Sequence, residues 1–460
     1  MSDTIAAIAT GAQVAAIGII RLSGPESIPL MDRLFKPMNG RPMSQAQDRT
    51  LVYGRLYNAA GDLLDVCLCT ISHGPGSYTG EDTAELQCHG SPVVLRAVLD
   101  ELFQLGARHA RPGEFTKRAF LNGRMELTAA EAVADLIDAE SIDYAKNAAG
   151  QLSGAVSRRI DGIYSALTDI SSHYHAVLDY PDEDIEDFRL ESYREQLGAA
   201  LAQLQQLLDS FGRGKLMRAG IPAAIVGRPN AGKSSLLNAL LGYDRAIVTD
   251  VPGTTRDTIE EKLRLGGLTL KLCDTAGIHD TDDRVEQLGV ERSRKALEAA
   301  DLVLAVVDGS VPPTAEDLAV LRLAAKAPRW IAVFSKCDLW DTKARSVGVI
   351  GQVGTPAASV SLSAVTGQGL ARLEAAVAAL FPAGEAPDSG SLLTDQRQEE
   401  AARRARDAVR RAKEALAAGL TPDAILTAAA EALAALGELT GRTAKEEIVS
   451  RIFSRFCVGK

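Results

Sequence analysis

Gly227-Arg228-Pro229-Asn230-Ala231-Gly232-Lys233-Ser234 fits the pattern G-x-x-x-x-G-K-[ST], and its flanks are those the pattern requires. Ala223-Ala224-Ile225-Val226 before it is a short apolar run that reads as a buried strand, and Ser235-Leu236-Leu237-Asn238-Ala239-Leu240-Leu241 after it reads as a helix. Strand, glycine loop and helix together make a phosphate cradle. Backbone N–H groups from Asn230 through Ala231 and Gly232 to Ser235 and the helix N-terminus point at the β-phosphate, Lys233 reaches the β and γ oxygens, and the Ser234 hydroxyl ligates Mg²⁺. A glycine-rich turn matching the pattern by accident would lack that setting.

Outward from the loop, residues 218–382 alternate strands with helices, the strands being expected at 223–227, 244–250, 269–274, 301–308, 330–335 and 359–363. Such alternation predicts right-handed βα units in a mostly parallel, Ras-like α/β sheet with its ligand at the carboxyl ends of the strands. On either side the texture is helical. Thr128-Ala129-Ala130-Glu131 has the form of a capping box opening one long helical tract, with Leu152, Val156, Ile160, Ile163, Leu167, Ile170, Tyr174 and Val177 recurring at spacings of three and four. Asp179 to Glu183 breaks that tract, and Ser192 opens a further helix carrying Leu197, Leu201, Leu204, Leu207 and Leu208. Past the Gly/Pro/Ser-rich linker Pro382 to Ser391, Thr394 to Leu416 and Pro422 to Leu436 return to helix, with Thr421-Pro422 as cap and first-turn proline. Neither helical block is a complete bundle, so the two are expected to pack together around an inserted nucleotide domain.

Residues 1–122 read as mixed α/β, with strands at Val14 to Leu22 and Val66 to Ile71 and a helix over Pro92 to Leu105. Between them His73-Gly74-Pro75-Gly76-Ser77-Tyr78-Thr79-Gly80-Glu81-Asp82 is a turn-rich loop, equally a binding edge or a connection. The expected architecture is multidomain: an α/β N-terminal domain (1–122), an all-α helical domain in two halves (123–217 and 383–460), and an inserted P-loop G domain (218–382).

Composition bounds the function classes. A chain of 460 residues, 46% hydrophobic and 24% charged, can bury sizeable cores and is not a disordered segment. A net charge of -10 argues against wrapping nucleic acid by charge alone, so an RNA contact needs a local basic patch. Six cysteines without a paired C-x-x-C are not a disulfide framework. Ile5 to Ile20 imitates a signal peptide, but Met1-Ser2-Asp3-Thr4 is without positive charge and Gly11-Ala12-Gln13 interrupts the run. No apolar stretch reaches the ~18 residues of a membrane span. A cytoplasmic protein is expected.

The motifs after the loop narrow the nucleotide. Asp274-Thr275-Ala276-Gly277 follows an apolar strand as the γ-phosphate sensor of a GTPase does, the Asp acting on Mg²⁺ through water and the Gly N–H facing the phosphate. Phe334-Ser335-Lys336-Cys337-Asp338 ends another strand: Asp338 is placed to accept the two guanine donors and the Lys336 stem to cover the ring. Ser361-Leu362-Ser363-Ala364 is the last loop, its backbone available to guanine O6. Four elements in this order favour GTP over ATP. Ras-type enzymes follow the sensor with a glutamine that orients water, and Ile278 here cannot, so another stabiliser is needed at the β–γ bridge; a monovalent cation is one physical solution.

With Asn230 inside the loop and Gly253-Thr254-Thr255-Arg256-Asp257 after it, this set resembles the translation-factor-like GTPases, within the TrmE-Era-EngA-like superfamily, and is most similar to the MnmE (TrmE) family. The resemblance extends to Gly113-Glu114-Phe115-Thr116-Lys117-Arg118-Ala119-Phe120-Leu121-Asn122-Gly123 and to the terminal Phe456-Cys457-Val458-Gly459-Lys460. It implies a homodimeric, K⁺- and Mg²⁺-dependent GTPase that modifies C5 of the tRNA wobble uridine with a flavoprotein partner, MnmG, which carries FAD. It also implies K⁺ on Asn230, Thr249, Val251 and Thr254, Mg²⁺ on Ser234 and Thr255, and water activation by Glu286. A tetrahydrofolate one-carbon derivative is implied at Arg21, Glu85, Arg124 and Lys460 in an N-terminal folate-binding and dimerising domain. On the residues alone, Glu286 is an exposed charge on a switch helix, Arg21 a strand-end charge and Glu85 a strand residue. Ser335 stands where the family usually has Asn, and Arg124 where it has Lys, a planar fork in place of a point charge.

The remaining polar features have plainer readings. A lone cysteine such as Cys457 is commonly a small buried hydrophobe, with nucleophilic catalysis as the alternative. Cys67 and Cys69 share a strand face without a second ligand pair for zinc, and His173 and His175 point to different helix faces. Asp182, Glu183, Asp184, Glu186 and Asp187 lack EF-hand spacing and read as a solvated loop. Arg403, Arg404, Arg406, Arg410, Arg411 and Lys413 read as a solvated face paired with Glu399 and Glu400, or as a tRNA patch. The function expected is a GTP-hydrolysing component of a tRNA modification complex; the alternatives are a ribosome-assembly GTPase switch and a GTP-dependent scaffold.

Overall fold

The computed structural model describes residues 3–11, 13–179, 190–243, 261–266, 268–272, 297, 300–339, 353–381, 390–443, 446–454 and 456–459. The chain divides into two compact units, one of Met1–Ile137, Ala148–Gln206 and Arg397–Lys460, the other of Asp138–Asn147 and Leu207–Gln396. Among the described residues no helix is long and apolar enough to cross a membrane.

The first unit is built on a seven-stranded sheet of β1 (Ile5–Ile8), β2 (Ala15–Ser23), β3 (Phe35–Pro37), β4 (Val52–Tyr57), β5 (Leu63–Ser72), β6 (Thr83–Gly90) and β7 (Arg108–His109), in the order β3-β4-β5-β6-β2-β1-β7. Its pairs are antiparallel except β1 with β7. The two-residue period of a strand sends Ile20 and Leu22, Cys67, Cys69 and Ile71, and Ala84, Leu86 and Cys88 into one core beneath α1 (Ser27–Leu34) and α2 (Pro92–Gln104). α2 meets that core with Leu95, Val98, Leu99 and Leu102, the spacing read from its sequence.

After α3 (Glu114–Leu121) come α4 (Leu127–Ile137), α5 (Ile142–Leu152), α6 (Ala155–Asp179) and α7 (Leu190–Ala219). Two expectations fail here. Thr128 lies within α4 and its hydroxyl bonds Ser157 Oγ at 2.9 Å, while Glu131 pairs with Arg397, so neither caps a helix. The tract is also three helices rather than one: it breaks at 138–141 between α4 and α5, and again where Gly154 turns at φ +83° between α5 and α6 and Leu152 is exposed. The apolar stripe holds from Val156 to Tyr174, all of whose spaced members are buried. Residues 180–189, with the acidic run, lie outside the described residues.

The second unit holds a six-stranded sheet of β8 (Ile221–Val226), β9 (Glu261–Leu265), β10 (Leu268–Leu272), β11 (Leu302–Asp308), β12 (Trp330–Ser335) and β13 (Ala358–Ser361), ordered β13-β12-β11-β8-β10-β9. All pairs are parallel but β9–β10, a hairpin turning at Gly266 whose second strand is the one expected at 269–274 and whose first, β9, is not among the expected strands. Every residue of β11 and β12 is buried, which is why these strands are unbroken apolar runs. Ile221, Ala223 and Ile225 pack against Leu236 and Leu240 of α8 (Lys233–Tyr243) and Leu373 and Val377 of α10 (Leu370–Leu380). On the other face Ala224, Val303, Ala305 and Val307 join Leu321 and Ala324 of α9 (Ala315–Ala324). The expected strand at 244–250 lies outside the described residues. From β8 the sheet grows to β10 on one side and β11 on the other, so the carboxyl end of β8 is the switch point where a crevice opens.

The chain ends in α11 (Gln396–Ala417), α12 (Pro422–Thr440) and α13 (Glu446–Phe453), the last not expected from sequence. α12 packs on α6, with alanines 428, 429, 432 and 435 buried between them and their neighbours. Thr421 flanks α12 without a side-chain cap bond; Pro422 starts the helix instead. Arg397 forms two 2.8 Å bonds to Glu131 and donates to the carbonyls of Glu438 and Leu439 at the end of α12. Gln398 adds a third donor to Glu131 at 2.8 Å. The pair is part-buried, so breaking it from one side costs less than the ~3–5 kcal/mol of a fully buried one, and its bonds tie α4, α11 and α12 together.

Candidate nucleotide site

The glycine loop leaves β8 at Gly227, where a Cβ would stand 2.5 Å from the Val306 carbonyl oxygen of β11. Asn230 (φ 61°) and Gly232 (φ 98°) are left-handed, the conformation that asparagine tolerates best among side-chain-bearing residues and glycine adopts freely. The loop therefore curls and delivers the chain into α8, whose first turn closes with Leu236 N–H on Gly232 O at 2.9 Å. Lys233 folds back over the loop, its Nζ donating to Gly227 O at 2.9 Å and Arg228 O at 3.0 Å. Burial pushes its pKa below the ordinary lysine value. Arg228 Nε stands 3.0 Å from Asp317, which also completes the capping box of α9 with Thr314.

The expected base-reading residues converge on the same loop. Lys336, left-handed at φ 58°, reaches from the end of β12 to Asn230 O at 3.0 Å and Asp308 Oδ2 at 2.7 Å. Burial raises the Asp308 pKa, but the hydrogen bonds from Lys336 and Ser310 outweigh it and hold the carboxylate below its ordinary value. Ser335 Oγ is within 2.5 Å of Ala231 O and 3.2 Å of Val307 O. Asp338 sits exposed in the turn Cys337–Leu339, and Cys337 N–H bonds Leu362 O at 3.1 Å, joining this turn to the loop of Ser363 and Ala364. Asp308 was not picked out from sequence; its place at the carboxyl end of a buried strand was the available signal.

Of the predicted residues, Asn230, Ala231, Gly232, Lys233, Ser234, Ser235, Ser335, Lys336, Asp338, Ser363 and Ala364 are described. Thr249, Val251, Thr254, Thr255, Asp274, Thr275, Ala276, Gly277 and Glu286 lie outside the described residues, as does Lys460. Asn230 and Ser234 are exposed and offer a neutral amide and a hydroxyl oxygen, hard donors that fit K⁺ and Mg²⁺ respectively.

In the first unit, Arg21 and Glu85 are register partners of β2 and β6 and pair at 2.7 Å. The Arg21 guanidinium lies 5.6 Å from the Tyr78 ring centroid and 5.8 Å from that of Phe115. Arg124 Nε donates to Ser77 O at 3.1 Å, so the loop 73–82 carries both arginines' contacts. That loop is pinned: Thr79 is fully buried, bonded to Ser23 at 2.7 Å and through its carbonyl to Asn122 at 2.7 Å, and Arg118 holds Glu81 at 2.8 Å.

Family models match residues 4–124 as the GTP-binding protein TrmE N-terminus and 127–457 as the MnmE helical domain. The tRNA modification GTPase MnmE of Symbiobacterium thermophilum is 43% identical over 100% of this chain and 99% of its own length. Those of Roseiflexus sp. and Alkaliphilus oremlandii are 42% and 39% identical, again over 100% of this chain, and over 99% and 100% of theirs. The chain belongs to the MnmE family.

In this MnmE-family chain the two motifs outside the G region meet. Gly113, at φ 64°, donates to Cys457 O at 3.3 Å, and a Cβ there would stand 2.7 Å from Phe453 O. Gly459 lies so close to β1 that a Cβ would be 2.5 Å from Ile8 O. Cys457 itself is exposed, against the buried role expected of it, because Phe456 beside it takes the apolar place. Cys67 does have neighbours that its spacing could not reveal: ligand atoms of Asp65, Cys67 and Cys88 lie within 4.8 Å of one another. Asp65 already accepts from His89 N–H at 2.8 Å and pairs with its Nδ1, and the contact with Cys88 together with burial drives the Cys67 thiol far above its ordinary pKa. The basic helix is ion-paired: Arg403 with Glu399, Arg404 with Glu438, Arg406 and Arg410 with Asp407, and Arg411 with Glu431.

Proposed function

We propose that this chain is the GTP-hydrolysing component of a homodimeric complex that modifies C5 of the tRNA wobble uridine (U34), adding a carboxymethylaminomethyl-type group with the FAD-dependent partner MnmG. The observation that carries the reading is a phosphate loop tied by Ser335 and Lys336 to an exposed Asp338, in a chain aligned end to end with tRNA modification GTPases. Three domains would divide the work: 1–122 for the one-carbon donor and dimerisation, the helical halves 123–217 and 383–460, and the G domain 218–382.

In that reading the loop's N–H groups and Lys233 take the β- and γ-phosphates, and Lys233 exchanges the carbonyls of Gly227 and Arg228 for phosphate oxygens. Asp338 accepts from the guanine edge while Lys336 stays on Asn230 O and keeps the base loop on the phosphate loop. Ser234 with Thr255 would hold Mg²⁺, and Asn230 with Thr249, Val251 and Thr254 would hold K⁺; these ions would neutralise charge developing between the β- and γ-phosphates. Glu286 is assigned to water activation, and Arg21, Glu85, Arg124 and Lys460 to the tetrahydrofolate derivative.

Nucleoside analysis of tRNA from a deletion strain tests the function: C5-substituted wobble uridine disappears, and unchanged levels would sink the reading. The cation assignment has its own test. GTP hydrolysis in KCl exceeds that in NaCl by on the order of tenfold or more, and Asn230→Ala abolishes the difference. Equal wild-type rates in the two salts refute it.

A further inference from the structure

Ser335 ends β12 only 3% exposed, directly under the glycine loop. A serine hydroxyl has one proton and two lone pairs, whereas a carbonyl oxygen only accepts. Both of its neighbours are carbonyls, Ala231 O at 2.5 Å and Val307 O at 3.2 Å, so its one proton is committed to backbone. The loop can lie this close because Gly232 has no side chain: a Cβ there would be 3.3 Å from Ser335 Oγ. Next to it Lys336 holds Asn230 O, so two successive residues grip two successive loop carbonyls. In a trans peptide the carbonyl and the following N–H point in opposite directions. Holding the Ala231 carbonyl therefore turns the Gly232 N–H to the face away from Ser335.

We propose that Ser335 is a positioning residue that latches the phosphate loop to the base-reading loop, and that with its proton so used position 335 makes no contact with guanine N7. Guanine presents N7 and O6 as acceptors on one edge, and reading N7 needs a donor. Recognition then rests on Asp338, the Lys336 stem and the Ser363–Ala364 loop. The inference depends on the guanine-nucleotide reading above and refines it.

The test compares GDP with 7-deaza-GDP, in which N7 is replaced by C–H, by calorimetry on the full-length wild-type chain. Equal affinities within about twofold are expected, since no hydrogen bond is lost. Ser335→Asn, which brings an amide donor, creates a preference for GDP of about fivefold or more. Ser335→Ala weakens both nucleotides by about tenfold without changing their ratio, and Ser335→Thr, which keeps the hydroxyl, restores binding. A wild-type preference for GDP of about fivefold overturns the N7 inference, and unchanged affinity in a folded Ser335→Ala chain overturns the latch. Because the wild-type comparison needs no variant, it stands even where a substitution impairs folding. Binding of ADP but of neither guanine nucleotide would instead overturn the guanine reading on which the inference rests.

Discussion

Lys233→Ala lowers kcat/KM for GTP hydrolysis by about 10³, a loss of about 4 kcal/mol in transition-state stabilisation. The ammonium is half-buried against two loop carbonyls and its pKa is lowered by that burial, so its field acts in a weakly screened place. In the proposed function, charge that develops on the phosphate oxygens meets it at short range, whereas Lys336, the other lysine at the loop, is held by Asn230 O and Asp308. Removing it leaves the carbonyls of the partly exposed Gly227 and Arg228 within reach of water, a small change for the fold. Phosphate release under kcat/KM conditions and the thermal midpoint together separate these effects. A variant within about threefold of wild type would mean that Lys233 does not face the phosphates.

Asp338→Asn shifts the preferred base from guanine to xanthine, with kcat/KM for GTP falling by about 10³ and XTP becoming the better substrate. A carboxylate only accepts, matching the two donors on the guanine edge, and hydrogen bonds to a charged group contribute about 1.5–3 kcal/mol each. An amide turns one of those contacts into donor against donor. Xanthine replaces the amino group with an oxygen, which the amide can serve. Asp338 is exposed in its turn, so stability should change by no more than about 0.5 kcal/mol. An unchanged GTP-to-XTP ratio would remove Asp338 from the base site.

Much of the second unit was legible because its signals are contiguous. β11 and β12 are buried on both faces and therefore appear as unbroken apolar runs. β10 answers the strand expected at 269–274, but its hairpin partner β9 has no counterpart among the expected strands although Leu263 and Leu265 alternate with Lys262 and Arg264 ahead of the Gly266 turn; five residues is a weak period beside longer apolar runs. The capping-box pattern at Thr128 misled for a different reason. Local pattern proposes a bond within one helix, and Ser157 and Arg397 offered these side chains partners from elsewhere in the fold.

The candidate sites divide along the same line. Spacing in the sequence established β8, the glycine loop and α8 after it, and the strand end that carries Ser335 to Asp338, since each depends on residues adjacent in the chain whose pattern does not need a distant partner. Tertiary structure alone decided that Ser335 and Lys336 grip Ala231 and Asn230, that Asp308 supports Lys336, that Arg21 faces Glu85, and that Gly113 meets Cys457. These are contacts between segments far apart along the chain, and a hydrogen bond or ion pair reports only on separation in space. Sequence sets which groups can donate, accept or carry charge; packing of the sheets and helices selects which of them meet.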